Sequence, residues 1–227
     1  MFLFDPRYMM LVALPSMLLA LWAQFRVKSA MARYSRVASR RGLTGAEAAA
    51  EILDTSGVNN VSIEVTNGWL SDHYDPSKHV LRLSPQVYSG RSLASIGIAA
   101  HEAGHALQQA ANYAPLVVRS SIVPLAAVSN LALPILILGL VLGKLMLVNI
   151  GILLFLVIVV LQFVNLPVEY NASRRAREAL LRCGIIAAGE EGGVKAVLNA
   201  AALTYVAAAL GALLQFFYFL GLARRSD

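Results

Sequence analysis

The sequence predicts a mostly α protein, with four transmembrane helices plus one small α+β domain at the membrane surface. Three observations lead there. Of the 227 residues, 58% are hydrophobic and only 14% are charged, against about 25% charged in ordinary soluble domains. Four apolar runs, at residues 8–25, 121–142, 145–166 and 197–222, are each close to the ~20 residues a helix needs to cross a bilayer. Between the first and second runs lies a long stretch of mixed polarity that switches between helix and strand patterns.

Asp5 and Arg7 precede the first run, and Arg26, Lys28, Arg33, Arg36, Arg40 and Arg41 follow it. A secretory signal would show the reverse charge order and a small-residue cleavage site, so the run reads as a retained anchor. The basic cluster after it marks a cytoplasmic flank. Thr44 and Glu47 then form a capping box that opens an alanine-rich helix over residues 45–56, and Gly57 ends it. Residues 61–65 alternate like a strand, and Asn67-Gly68 is a turn signal. The Asp75-Pro76 turn leads into a second short strand at 80–84. Ser84 and Pro85 look like an N-cap followed by a first-turn proline. Gly90 interrupts, and a helix follows over 91–111.

Pro124 and Pro134 should kink the second apolar run, which membrane helices tolerate. Gly143-Lys144 is a short break, so the second and third runs form a hairpin. Residues 167–196 carry Arg174, Arg175, Arg177, Arg182 and Lys195, which places them on the same cytoplasmic side as the first polar segment. Arg224 and Arg225 are the dissenting charges. The expected organisation is an anchor at 1–25, a cytoplasmic domain at 26–120, a transmembrane hairpin at 121–166, a cytoplasmic helical segment at 167–196, and a C-terminal transmembrane helix and tail at 197–227.

Composition also excludes some functions. The net charge of +6 is concentrated beside apolar runs, which argues against nucleic acid as a partner. Cys183 is the sole cysteine, so neither an intrachain disulfide nor a cysteine-rich metal site is available. The four apolar runs contain no Asp or Glu, and a solute transporter would need an ion pathway there.

His101-Glu102-Ala103-Gly104-His105 is an H-E-x-x-H motif within the 91–111 helix. Histidines four apart share one helix face, so both imidazoles can reach one zinc ion. The intervening glutamate is then placed as general base. Zinc polarises a scissile carbonyl and lowers the pKa of water toward neutrality. The competing reading is a helix with two hydrogen-bonding histidines. The apolar, small residues before the motif favour the metal, and Ala103 and Gly104 let another element approach closely.

A third protein ligand is needed. No third histidine follows, because the chain's other two are His73 and His79. From Ala106 to Val168 there is no Asp, Glu, His or Cys, so Glu169 is the first candidate after the hairpin. Glu178, Glu190 and Glu191 are later alternatives. The absence of a later aspartate within a span argues against a protease of the site-2 type.

The run Ala100-His101-Glu102-Ala103-Gly104-His105-Ala106-Leu107-Gln108 resembles the YugP-like family of neutral zinc metallopeptidases of bacteria. Segments 42–53, 72–76, 83–92, 166–176 and 198–209 resemble it too, so the likeness covers nearly the whole chain. It implies a zincin-like core in a multi-pass protein of the bacterial inner membrane. More distantly, the chain resembles HtpX-like and CAAX prenyl endopeptidases, which place a membrane hairpin between the motif helix and a glutamate ligand. Their pattern E-x-x-A-D-x-x-A is matched by Glu169, Ala172 and Ala176, but Ser173 stands where the aspartate supports a zinc histidine. That support could come from Ser173, Asp72, Asp75, Asn171 or a backbone carbonyl. These relatives also hold substrate on an edge strand beside the motif helix, for which Val80, Leu81, Arg82, Leu83 and Ser84 are the candidates. The other reading of those five is an ordinary hairpin strand.

His73 is a candidate catalytic auxiliary that would donate to a developing oxyanion. Tyr74, Tyr170, Asn171 or an arginine near Glu169 could do the same, and residues 72–76 could equally be a plain turn. His79 reads as solvated. The expected function is a zinc endopeptidase holding one Zn2+ per chain through His101, His105 and Glu169, with Glu102 as base. It would cut membrane or membrane-proximal polypeptides on the cytoplasmic face. The alternative is a non-catalytic, zinc-stabilised membrane scaffold. Small faces on the last run (Ala200, Ala201, Ala207, Ala208, Gly211) leave room for a partner membrane protein or a second copy.

Overall fold

The computed structural model describes residues 5–68 and 71–224. Arg225 lies outside them. The chain divides into two compact units. One takes in Met1–Ala23, Val117–Pro167 and Leu203–Asp227, and the other Gln24–Leu116 and Val168–Ala202.

Among the described residues, four helices are long and apolar enough to cross a membrane: Pro6–Tyr34, Ala114–Val141, Leu145–Arg182 and Glu191–Ala223. The first comprises α1 (Pro6–Tyr8), a π-helical turn (Met9–Ala13) and α2 (Leu14–Tyr34). The second is α6 (Ala114–Ser129) and α7 (Ala132–Val141), the third α8 (Leu145–Arg182) and the fourth α9 (Glu191–Ala223). The first, third and fourth contain their apolar runs and outlast them; the second begins before its run and stops at Val141, one residue short of the expected end. Pro124 sits inside α6 without breaking it. Pro134 lacks the N–H that the Asn130 carbonyl would accept, and the helix divides there, between α6 and α7. Pro167 does not divide α8, so the boundary expected at 166/167 falls within one unbroken helix.

In the first unit, α7 turns into α8 through Gly143, whose φ is +62°, a left-handed conformation that glycine adopts without a Cβ penalty. The two helices then pack backbone against backbone. A Cβ on Gly151 would lie 2.8 Å from the Leu136 nitrogen and 2.9 Å from the Ala132 oxygen. Leu136, Val148, Ile152, Phe155, Val159 and Phe219 form the buried cluster of this unit, with Phe155 and Phe219 edge to face at 5.3 Å. Leu18, Leu21, Leu138, Val141 and Leu153 stay exposed, as residues on a lipid-facing surface would.

The second unit is built on α3 (Gly45–Thr55), α4 (Pro85–Tyr88), α5 (Leu93–Ala110) and a sheet of β1 (Ser62–Val65), β2 (His73–Asp75) and β3 (Val80–Leu83). Both halves of the expected capping box on Thr44 and Glu47 are present. Ile52, Leu81, Leu83, Ile96, Ala99, Ala100 and Ala103 share its core with Leu180 and Val194. The strands run in the order β1-β3-β2. β3 pairs parallel with β1 and antiparallel with β2.

Val80, Leu81, Arg82, Leu83 and Ser84 therefore do not form an edge strand: β3 is central, and three of its four residues are buried. Its period-2 pattern could not distinguish a central strand from an edge one. The edge beside α5 is β2, in a stretch that reads as a turn because its residues are polar and followed by Asp-Pro. Tertiary bonds hold it extended. Arg82 Nη1 donates to Asp75 Oδ2 at 3.1 Å. The Ser77 hydroxyl and Arg82 hold the Asp75 carboxyl well below its usual range. Ser84 is the N-cap of α4, but its hydroxyl makes no cap bond there. It donates instead to Asp72 Oδ2 at 3.2 Å, and the Ser84 N–H donates to Oδ1 at 2.7 Å.

The Gly151 contact yields a test. Gly151→Val should cost about 1–3 kcal/mol by overpacking, read as a lower thermal midpoint in detergent, while a Val substitution at the open Gly221 leaves the midpoint unchanged.

Candidate metal centre

The centre lies in the second unit, on α5 and on the part of α8 that follows Pro167. α5 opens at Ser92, whose hydroxyl accepts the Ser95 N–H, and presents His101, Glu102 and His105 two turns later. α8 supplies Glu169. Small residues let the helices meet: a Cβ on Gly104 would lie 2.6 Å from the Ala172 carbonyl oxygen. At that separation the side chains of the two helices converge.

His101 Nε2 lies 3.2 Å and His105 Nε2 3.6 Å from the same oxygen of Glu169, Oε2. One donor atom from each of the three residues lies within 4.8 Å of the others, a grouping that could hold a metal ion. Glu169 is 2% exposed, and Glu102 and His105 are each 9% exposed. A carboxylate so buried needs a compensating partner. Two imidazoles supply it here, and a divalent cation would supply more.

The donor set fits zinc on its own chemistry. Two imidazole nitrogens and one carboxylate oxygen make three protein ligands and leave a fourth position open, the pattern of catalytic sites. Both imidazoles are also oriented from behind. Ser173 Oγ is 3.2 Å from His101 Nδ1. Gln108 Oε1 is 3.0 Å from His105 Nδ1. The Gln108 amide cannot be flipped, because its nitrogen donates to the Val168 carbonyl at 2.8 Å and to Asn171 Oδ1 at 3.0 Å. Its oxygen must then accept from His105, which puts a proton on Nδ1 and leaves Nε2 as the nitrogen that faces Glu169, donating to it when the ring is protonated. Burial on its own lowers the His105 pKa, but the Glu169 hydrogen bond and the charges of Glu102 and Glu169 outweigh it and raise the pKa.

Glu102 is fixed from the other side. The backbone N–H of Tyr74, on β2, donates to its Oε2 at 3.0 Å. The Tyr74 hydroxyl donates to Gln109 Oε1 at 2.6 Å, and Gln109 Nε2 donates to the Pro76 carbonyl at 3.1 Å. β2 is thereby clipped to α5 at two points.

The remaining candidates divide. Ser173 stands behind a candidate ligand, and Asn171 does so indirectly, through Gln108. Asp72 does not: both its oxygens accept from Ser84. The exposed His73 is not brought to the cluster either. Its Nδ1–H donates to the Ser71 carbonyl at 2.8 Å, and its Nε2 faces Arg82 Nη1 at 3.4 Å. Sequence reasoning passed over Gln108 and the Tyr74 N–H. Gln108 had a legible signal, a polar residue one turn beyond His105 on the ligand face. A backbone N–H has none.

Helices of membrane-crossing length and a His–His–Glu grouping that could hold a metal ion define a class, a helical membrane protein with a candidate metal centre. The family model described as "Putative neutral zinc metallopeptidase" matches residues 9–224, and the chain belongs to that family. It is 48% identical over 202 residues to the "Putative membrane protease YugP" of Bacillus subtilis (strain 168), covering 88% of this chain and 90% of that one. No solved structure matches it. It is a membrane protein of a zinc metallopeptidase family.

Two substitutions test the centre. Glu169→Ala should abolish stoichiometric zinc in metal analysis of the purified protein, and full occupancy would refute the ligand assignment. Gln108→Met should weaken zinc binding about 10–100-fold in chelator competition, with the helical circular dichroism of the wild type retained.

Proposed function

We propose that the protein is a zinc-dependent endopeptidase that hydrolyses membrane or membrane-proximal polypeptides. The observation that carries this is the convergence of His101, His105 and Glu169, with Glu102 held beside them by the Tyr74 N–H. A scaffold with a structural metal needs no oriented carboxylate at Glu102.

One Zn2+ per chain would be held by His101 Nε2, His105 Nε2 and Glu169. Zinc there supplies a Lewis acid for the scissile carbonyl and lowers the pKa of water. Glu102 does the proton work. With Oε2 engaged by Tyr74, its Oε1 accepts the proton of the attacking water and returns it to the leaving amine nitrogen. Ser173 and Gln108 keep the imidazoles turned so that Nε2 of each faces the centre. β2 is the edge strand beside this carboxylate, and a substrate strand would add there. The basic flanks at 26–41 and 174–195 support a cytoplasmic site in the bacterial inner membrane.

The experiment is a comparison of membrane proteomes from cells making the wild type and Glu102→Gln. The variant should keep its zinc and lose cleavage by about 10²–10⁴-fold, seen as the disappearance of specific new termini. Identical termini in both would favour the scaffold.

A further inference from the structure

We propose that a cavity beside β2 receives a carboxylate of the polypeptide, on the C-terminal side of the bond that is cut. This rests on the hydrolase reading above. The cavity has a volume of about 580 Å³, and its lining includes Arg36, Asp72, Ser84, Gln86, Arg91 and Ser95.

Two elements tie this cavity to Glu102. On α5, Ser95 and Glu102 are seven residues apart. Seven residues make nearly two full turns, so both side chains lie on one face, about 10 Å apart along the axis. On the strand side, Asp72 precedes Tyr74 by two residues, which places both on the same edge about 7 Å apart. Tyr74 is the residue whose N–H reaches Glu102. The cavity and the carboxylate therefore lie along the same interval between α5 and β2, with the cavity toward the N-terminal end of both elements.

Direction follows from strand pairing. The inner edge of β2 is taken by β3 in antiparallel register, with Tyr74 opposite Leu81. A peptide adding antiparallel to the outer edge runs against β2. Its residues N-terminal to the scissile bond pass the Asp75 end, and those C-terminal to it pass Asp72 and enter the cavity.

The charge of the lining selects the guest. Arg36 is exposed and makes no side-chain hydrogen bond or ion pair among the described residues. Arg91 donates through Nη1 to the Gly42 carbonyl and already faces the charge of Glu47. Asp72 is the single acid among the described residues of the lining, and Ser84 engages both its oxygens. Arg36 is then the guanidinium left for a guest; it favours an anion, and a guanidinium fork matches a carboxylate in two parallel hydrogen bonds. That carboxylate is either an Asp or Glu side chain or the free end of the chain.

The test uses the full-length Glu102→Gln protein, zinc-loaded in detergent micelles, and short labelled peptides read by fluorescence anisotropy. Glu, Gln or Lys is scanned through the peptide, each with a free or an amidated C-terminus. If a side chain is recognised, one scanned position should bind about five- to tenfold more tightly as Glu than as Lys, whatever the C-terminus. If the chain end is recognised, the free acid should gain by that factor over the amide and the scan should be flat. In either case Arg36→Ala should remove the preference, and Arg36→Glu should invert it. Arg36 is solvent-exposed, so both variants keep the fold.

The proposal is overturned if no peptide binds, if binding shows no charge preference, or if the preference survives Arg36→Glu. It is also overturned if cleavage by the wild type places the preferred Glu before the cut. If the charge preference holds but the wild type cuts no peptide, the hydrolase reading falls and the carboxylate site stands.

Discussion

A glycine at position 104 allows α5 and α8 to touch, and the rest of the centre depends on that contact. A Cβ at this point would meet the Ala172 carbonyl at 2.6 Å. Within one turn on either side, four side-chain interactions cross the same pair of helices. His101 and His105 reach Glu169, Ser173 reaches His101, and Gln108 reaches the Val168 carbonyl. All of them span a gap set by two backbones with nothing between. Widening it by the size of a methyl group would lengthen every one of these bonds and uncover a carboxylate that is now almost fully buried.

Much of this was legible in the chain because its signals are local. The capping box at Thr44 and Glu47 involves residues three apart, and the two histidines four apart. Glu169 could be singled out only because the intervening 106–168 contains no other metal-binding side chain. The candidate third ligand stands out by the poverty of the hairpin, not by any property of the glutamate. The partners of Ser173 and Gln108 needed the fold. A polar residue on a ligand-bearing face shows that something is bonded there, but which imidazole it supports depends on how the helices pass one another.

The sheet shows the opposite case. β3 was readable as a strand, yet its position in the sheet was not. Alternation reports which face is buried, and says nothing of how many neighbours a strand has. β2 was hidden because His73-Tyr74-Asp75, followed by Pro76, has the composition of a turn. Arg82, the Ser77 hydroxyl and the contact with Glu102 hold them extended, and all of these lie outside the tripeptide. The edge is thus carried by the segment with the weakest local preference for being a strand.

Neither group behind the histidines carries charge: one is an amide, the other a hydroxyl. An aspartate in either place would push electron density through the imidazole ring onto whatever the ring binds. An amide oxygen and a hydroxyl push less. Two neutral imidazoles and one carboxylate then offset only half the charge of a divalent cation. On a zinc ion held there, the residual charge would remain available to polarise a peptide carbonyl. Ser173 and Gln108 would thus favour a stronger electrophile over a tighter grip.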